Sequence, residues 1–196
     1  MIAWNAHGAY SGGPIAKMER ADTGEVTISE LEVTRMFPEI EAAVRGFREI
    51  YIAGIPFLLK QNETSFLSFL CVVSATDALA GYRYQQLADG DKFRKFVTEY
   101  FPPSYATHVP NLWFFRCRML HNFSPAYFSL THAASHLHLQ LNPNIGDYFL
   151  SDESFFDDMR SAAEKYFFDL QSDVQLQDDM VSRLHNTAKG GAIFIA

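Results

Sequence analysis

The sequence predicts a mainly α-helical protein, a bundle of four or more helices with one small β-hairpin near residues 127–141. Two observations carry this reading. Apolar residues recur at helical spacing in most segments after Pro38, and an alternating, strand-like pattern stands out only around His136–Leu141. A third is negative: no internal repeat and no low-complexity tract interrupts the pattern.

Residues 1–28 are rich in Gly, Ala and Ser without a lasting period and read as an irregular N-terminal arm. Residues 29–196 read as a single helical domain. Pro38 suits a first helical position, and Ile40, Val44, Phe47, Tyr51 and Gly54 follow at helical spacing until Pro56 closes or kinks the helix. A second helix, capped by Asn62 or Thr64, carries Phe66, Phe69, Leu70, Val73, Asp77, Ala80 and Tyr84 on one stripe. Gly90 ends that segment. Asp91 then caps a short helix over 92–100, which Pro102-Pro103 breaks. A fourth helix spans about 110–121. In His136-Leu137-His138-Leu139-Gln140-Leu141 the period changes to two, which predicts a strand paired with residues 127–132. Asn142-Pro143-Asn144 and Gly146 are turn residues. Ser151 or Asp152 caps a further helix that buries Phe156, Met159, Ala163, Tyr166, Phe167 and Leu170. A weaker helix lies near 175–185, and Gly190-Gly191 leads to an apolar terminus, Ile193-Phe194-Ile195.

The hydrophobic fraction of 48% is enough for a real core, so global disorder is not expected. The 18 Phe and 9 Tyr exceed what one small core needs, with doublets at Phe114-Phe115, Phe155-Phe156 and Phe167-Phe168; some are expected to cover a subunit interface. A net charge of −7 repels a polyanion at long range and disfavours a nonspecific nucleic-acid coat, while leaving room for a local cationic pocket. Cys71 and Cys117 sit in apolar helical patterns, as reduced thiols do, and neither has the pattern of a thiol nucleophile. Residues 1–15 lack a cationic start and a sustained apolar run. Phe66–Gly81, the most apolar segment, carries Asp77 and is shorter than the roughly 20 residues a bilayer requires. Cytoplasm, with no membrane partner, is the expectation.

The stretch with chemical content is Arg116-Cys117-Arg118-Met119-Leu120-His121. On a helical wheel Trp113, Cys117 and Leu120 form the buried centre, with Arg116 and His121 on its two shoulders, about 140° apart. One helix does not bring them side by side. A symmetry-related second helix would make the shoulders line one groove, and Arg118 is a rival cation by spacing. This Arg-x4-His pattern near the end of a late helix, followed by Asn122, resembles the HEPN (higher eukaryote and prokaryote nucleotide-binding) superfamily. The resemblance covers roughly residues 35–125, and the run Asp77-Ala78-Leu79-Ala80-Gly81 and residues 93–102 join it more loosely; residues 126–196 lie outside.

The resemblance implies a helical bundle, commonly a homodimer, without a cofactor. Many members are metal-independent endoribonucleases; others bind RNA, nucleotide, a cognate antitoxin or another protein without catalysis. Carried over, Arg116 would hold the scissile phosphate and His121 would act as general acid or base at a ribose 2′-hydroxyl, giving a 2′,3′-cyclic phosphate and a 5′-hydroxyl. Cys117 departs from the polar residue that often follows the arginine. Asp77 is a separate inference: a carboxylate on an apolar helix face needs a partner, Arg116 first and His121 second.

Two rival readings stand beside it. A non-catalytic interaction or dimerisation module would use the same arginine and histidine structurally. A metal-assisted hydrolase would use His132, His136 and His138, because strand residues two apart share a face. No Walker loop, dinucleotide fingerprint, nucleophile elbow or HExxH motif is present.

Overall fold

The computed structural model describes residues 17–20, 26–29 and 36–188, and the chain divides into two units at Arg35–Met36. In the first unit, β1 (Lys17–Arg20) pairs antiparallel with β2 (Val26–Ser29) in the register Lys17 to Ser29 and Arg20 to Val26. The stretch expected to be irregular therefore contains an ordered strand pair. The apolar terminus Ile193-Phe194-Ile195 and Gly190-Gly191 lie outside the described residues.

The second unit is the helical bundle. α1 (Pro38–Phe47) starts with proline at its first position, has Glu39 and Glu41 in its first turn, and buries Ile40, Val44 and Phe47. A π-helical turn, Arg48–Ile52, follows, and Pro56 opens the short α2 (Ile55–Leu58) instead of closing α1. Gly54 is obligatory at this junction, since a Cβ there would lie 2.2 Å from the Ile50 carbonyl oxygen.

A 3-10 turn at Asn62–Thr64 leads into α3 (Ser65–Arg83). Thr64 does not cap it: its hydroxyl donates to the carbonyls of Leu58 and Gln61. The continuous helical stretch Asn62–Arg83 has 22 residues and contains an 18-residue window of mean hydropathy 1.4, so by length and composition it could cross a membrane, contrary to the shorter span expected. Its window is 56% buried inside the bundle, however, because α3 is the central helix. It packs against α4 (Asp89–Tyr100), α6 (Asp152–Ser172) and α7 (Val174–Ala188). α4 begins three residues earlier than predicted and takes Gly90 and Asp91 inside its first turn. The amides of Asp91 and Lys92 both donate to the Ala88 carbonyl.

Edge-to-face rings fill the space between α3, α5 (Val109–Asn122) and α6: Phe115 packs on Phe69, Phe155 and the strand residue Phe128. Of the aromatic doublets, Phe115, Phe155, Phe156 and Phe167 are core, whereas Phe114 and Phe168 face outward. α6 buries every residue expected of it.

The predicted hairpin is replaced by a different pairing. β3 (Phe128–Thr131) does lie in the expected place, but its partner is β4 (Tyr148–Ser151), and the two strands run parallel, with Phe128 opposite Tyr148 and Thr131 opposite Ser151. The alternating segment instead makes a 3-10 turn at Ser135–Leu137 and passes β4 with one bridge, Leu141 to Tyr148. Its three leucines do not share a buried face, since Leu141 is exposed. The imidazole of His138 joins in the altered pairing: its Nδ1 accepts the Ser151 amide at 3.1 Å, a bond that a regular strand would give to a carbonyl. The turn after it forms as read, with Asn142 Oδ1 accepting the Asn144 amide and Gly146 at φ +79°.

Candidate functional site

α5 carries the Arg-x4-His motif. Its buried line is Leu112, Phe115 and Met119, one or two residues before the predicted Trp113, Cys117 and Leu120 and on a different face of the helix. Consecutive apolar residues at 112–115 and 119–120 make two faces of this helix plausible core. The ring cluster around Phe115 selects between them, and Leu120 is left exposed.

This rotation turns Arg116 toward α3. Its Nε donates to Asp77 Oδ1 at 3.2 Å and its Nη2 to Asp77 Oδ2 at 2.5 Å, a side-on, two-bond pair. The Trp113 ring lies under the guanidinium, 5.2 Å from centroid to carbon. The Arg116 side chain is 16% exposed and that of Asp77 is 30% exposed, so the pair sits at the margin of the core. Desolvation pulls the guanidinium pKa down; the hydrogen bonds and charge of Asp77, with a smaller contribution from Cys117, outweigh it and leave the value raised. The cation is permanent.

The Asp77–Arg116 pair begins a seam along which α3 and α5 run antiparallel. Leu70 and Ser74 on α3 line an open groove of about 410 Å³ with Cys71, Tyr51, Leu120 and Phe123, and Phe66 meets the Phe123 ring at 6.3 Å. Burial raises the Cys71 thiol pKa, which makes it a poor nucleophile. Phe123 ends α5 in the left-handed conformation, φ 52° and ψ 38°, and its side chain is 67% exposed. That position ordinarily belongs to glycine.

His121, Arg118 and Asn122 are all exposed at the end of α5, and among the described residues none of their side chains forms a hydrogen bond or ion pair. Within one chain Arg116 and His121 are not brought together: the first faces Asp77, the second faces outward, as a separation of about 140° requires.

The histidines expected on one strand face are separated. His136 is exposed, and its carbonyl accepts the Gln140 side chain at 2.6 Å. His138 accepts the Ser151 amide on Nδ1, so its proton resides on Nε2, which donates to the Tyr105 hydroxyl at 2.8 Å; that hydroxyl donates to Asp158 at 2.9 Å. Burial first and the Asp158 charge second push the Tyr105 phenol well above its ordinary pKa. His108, packed edge-on against Tyr148, is pushed down by burial and then by the nearby His138. Because residues 135–137 form a turn, the geometry that would let 132, 136 and 138 share a metal is missing. Among the described residues no group of three His, Cys, Asp or Glu is spaced to hold one.

His132 has a different partner. The parallel register that ends with Thr131 opposite Ser151 delivers the next residues, His132 and Asp152, side by side at the carboxyl ends of the two strands. Asp152 is fully buried. Its Oδ2 accepts His132 Nδ1 and Ser65 Oγ, each at 2.7 Å, and its Oδ1 accepts the Glu153 amide at 2.9 Å. As the first residue of α6 it also sits where the helix dipole favours a negative charge. Sequence reasoning assigned Asp152 only a capping role and missed Ser65, Tyr105 and Asp158; no local pattern announces a pairing 20 residues or more apart. No family model matches the chain, nor does any curated protein or solved structure.

Proposed function

We propose that the chain is a HEPN-like helical module that assembles through the α3–α5 seam as a homodimer and engages RNA or nucleotide phosphate with Arg116 and His121. The observation that carries this reading is the side-on grip of Asp77 on Arg116. That grip uses two of the five guanidinium N–H groups and leaves three for another acceptor, so the cation is held in orientation without being used up. His121, on the other shoulder of α5, requires a second chain to meet an Arg116. The apolar groove with Leu120 and Phe123 lies along the same helix, where such a chain would bury it. In this reading Arg116 stabilises charge on the phosphate and His121 moves the proton of the 2′-hydroxyl. In this reading the partly buried α3 is a core helix of a soluble protein and not a membrane span.

A second reading, a silent interaction module, is favoured by one specific feature. An exposed phenylalanine in a strained conformation is better explained by a partner that covers it than by the fold. The two readings part experimentally. Molar mass by light scattering would be measured for wild type and Phe123→Glu, together with RNA cleavage in the absence of divalent ions for wild type, Arg116→Ala and His121→Ala. Cleavage lost in both alanine variants, by a dimer that Phe123→Glu disrupts, is expected. A dimer that cuts nothing leaves the interaction module, and a monomer with equal residual cutting in all variants overturns both readings.

A further inference from the structure

The Asp152–His132 pair stands at an open pocket of about 290 Å³ lined by Asn62, Ser65, Phe66, Phe69, Leu130, Thr131 and His132 itself. A buried carboxylate that accepts Nδ1–H selects the neutral tautomer whose lone pair is on Nε2, the arrangement a general base requires. Among the described residues Nε2 of His132 has no hydrogen-bond partner, and the side chain is 21% exposed. The residue after it, Ala133, is held at φ 53°, a left-handed conformation strained for an alanine. Ser65 is not a nucleophile here, because its hydroxyl donates to Asp152 and not to the imidazole. The attacking group must therefore come from solvent.

The lining also defines the substrate class. Among the described residues no Lys or Arg borders the pocket, and a carboxylate lies behind it, so an anionic substrate finds no counter-charge there. Phe66, Phe69 and Leu130 supply an apolar floor. The Asn62 carboxamide forms no hydrogen bond within the described residues and is available to a carbonyl oxygen.

We infer that His132, oriented by Asp152, is a general base that activates water against small, uncharged carboxylic esters held on this floor. His132 Nε2 takes a proton from water as the water oxygen adds to the ester carbonyl carbon. The bond to the alkoxide then breaks, and the imidazolium returns the proton to it. Ester and water become carboxylic acid and alcohol, with no other reactant.

The test uses the full chain and 4-nitrophenyl acetate. Wild type is expected to hydrolyse it, and His132→Gln to lose about 100-fold of the rate, the size of effect expected of a general base. His136→Gln, which removes an exposed imidazole outside the pocket, is expected to match wild type. Asp152 is a positioning residue: Asp152→Asn should lower the rate and also remove the Nδ1–H tautomer of His132 in long-range 1H–15N spectra. Wild-type hydrolysis by His132→Gln, or an equal loss in His136→Gln, overturns the inference. If His132→Gln does not fold, titration of wild type with 4-nitroacetanilide decides: the His132 ring resonances are expected to shift, and their constancy at millimolar amide overturns it.

Discussion

Replacing Asp77 by Asn removes the charge from the pair that locks α3 to α5 while keeping the shape of the side chain. The two bonds form a side-on pair, and the partners are 16% and 30% exposed. A fully exposed pair contributes under about 1 kcal/mol, and breaking a fully buried one costs about 3–5 kcal/mol. This pair lies between the two, so Asp77→Asn is expected to cost about 1.5–2.5 kcal/mol. Arg116 then keeps its Trp113 stacking but loses its counter-charge. For a chain of this length that corresponds to a fall in melting temperature of very roughly 3–10 °C. Urea unfolding of Asp77→Asn, Arg116→Gln and the double variant isolates the pair in a thermodynamic cycle. A coupling energy above about 1 kcal/mol, reduced only modestly in 0.5 M salt, is expected from partial burial. A coupling below about 0.3 kcal/mol would mean that the pair is an ordinary surface contact and that the reasoning from Asp77 is wrong.

Phe123→Gly should be neutral or slightly stabilising despite removing a large side chain. Relief of the left-handed strain, about 1 kcal/mol, offsets the lost Phe66 contact. Phe115→Ala, fully buried, should by contrast cost about 3–5 kcal/mol by urea unfolding. Gly54→Ala should destabilise by more than about 1 kcal/mol, because its Cβ meets backbone and not a movable side chain; an unchanged melting curve would contradict the junction described here. Since the His108 pKa is lowered by folding, the unfolded chain binds its proton more readily, so stability is present above the ordinary histidine range and lost as pH falls through it. His108→Phe should flatten the stability slope between pH 7 and pH 5, measured by chemical denaturation, and an unchanged slope would assign the pH dependence to other groups.

Helix existence, the centre of α6, the turn at Asn142–Gly146 and the need of Asp77 for a partner were all legible in the sequence. Each depends on periodicity or on the chemistry of one side chain, which local residues carry in full. The tertiary structure alone decided which of two apolar faces α5 buries. It alone chose the strand that pairs with β3, and its direction. Both choices depend on what arrives from elsewhere: the rings of Phe69, Phe128 and Phe155 around Phe115 in the first case, and β4 with the His138 imidazole in the second. Parallel pairing then placed His132 beside Asp152, residues that no spacing rule connects. Local pattern specifies elements; only burial, which depends on all of them together, specifies which side chains meet.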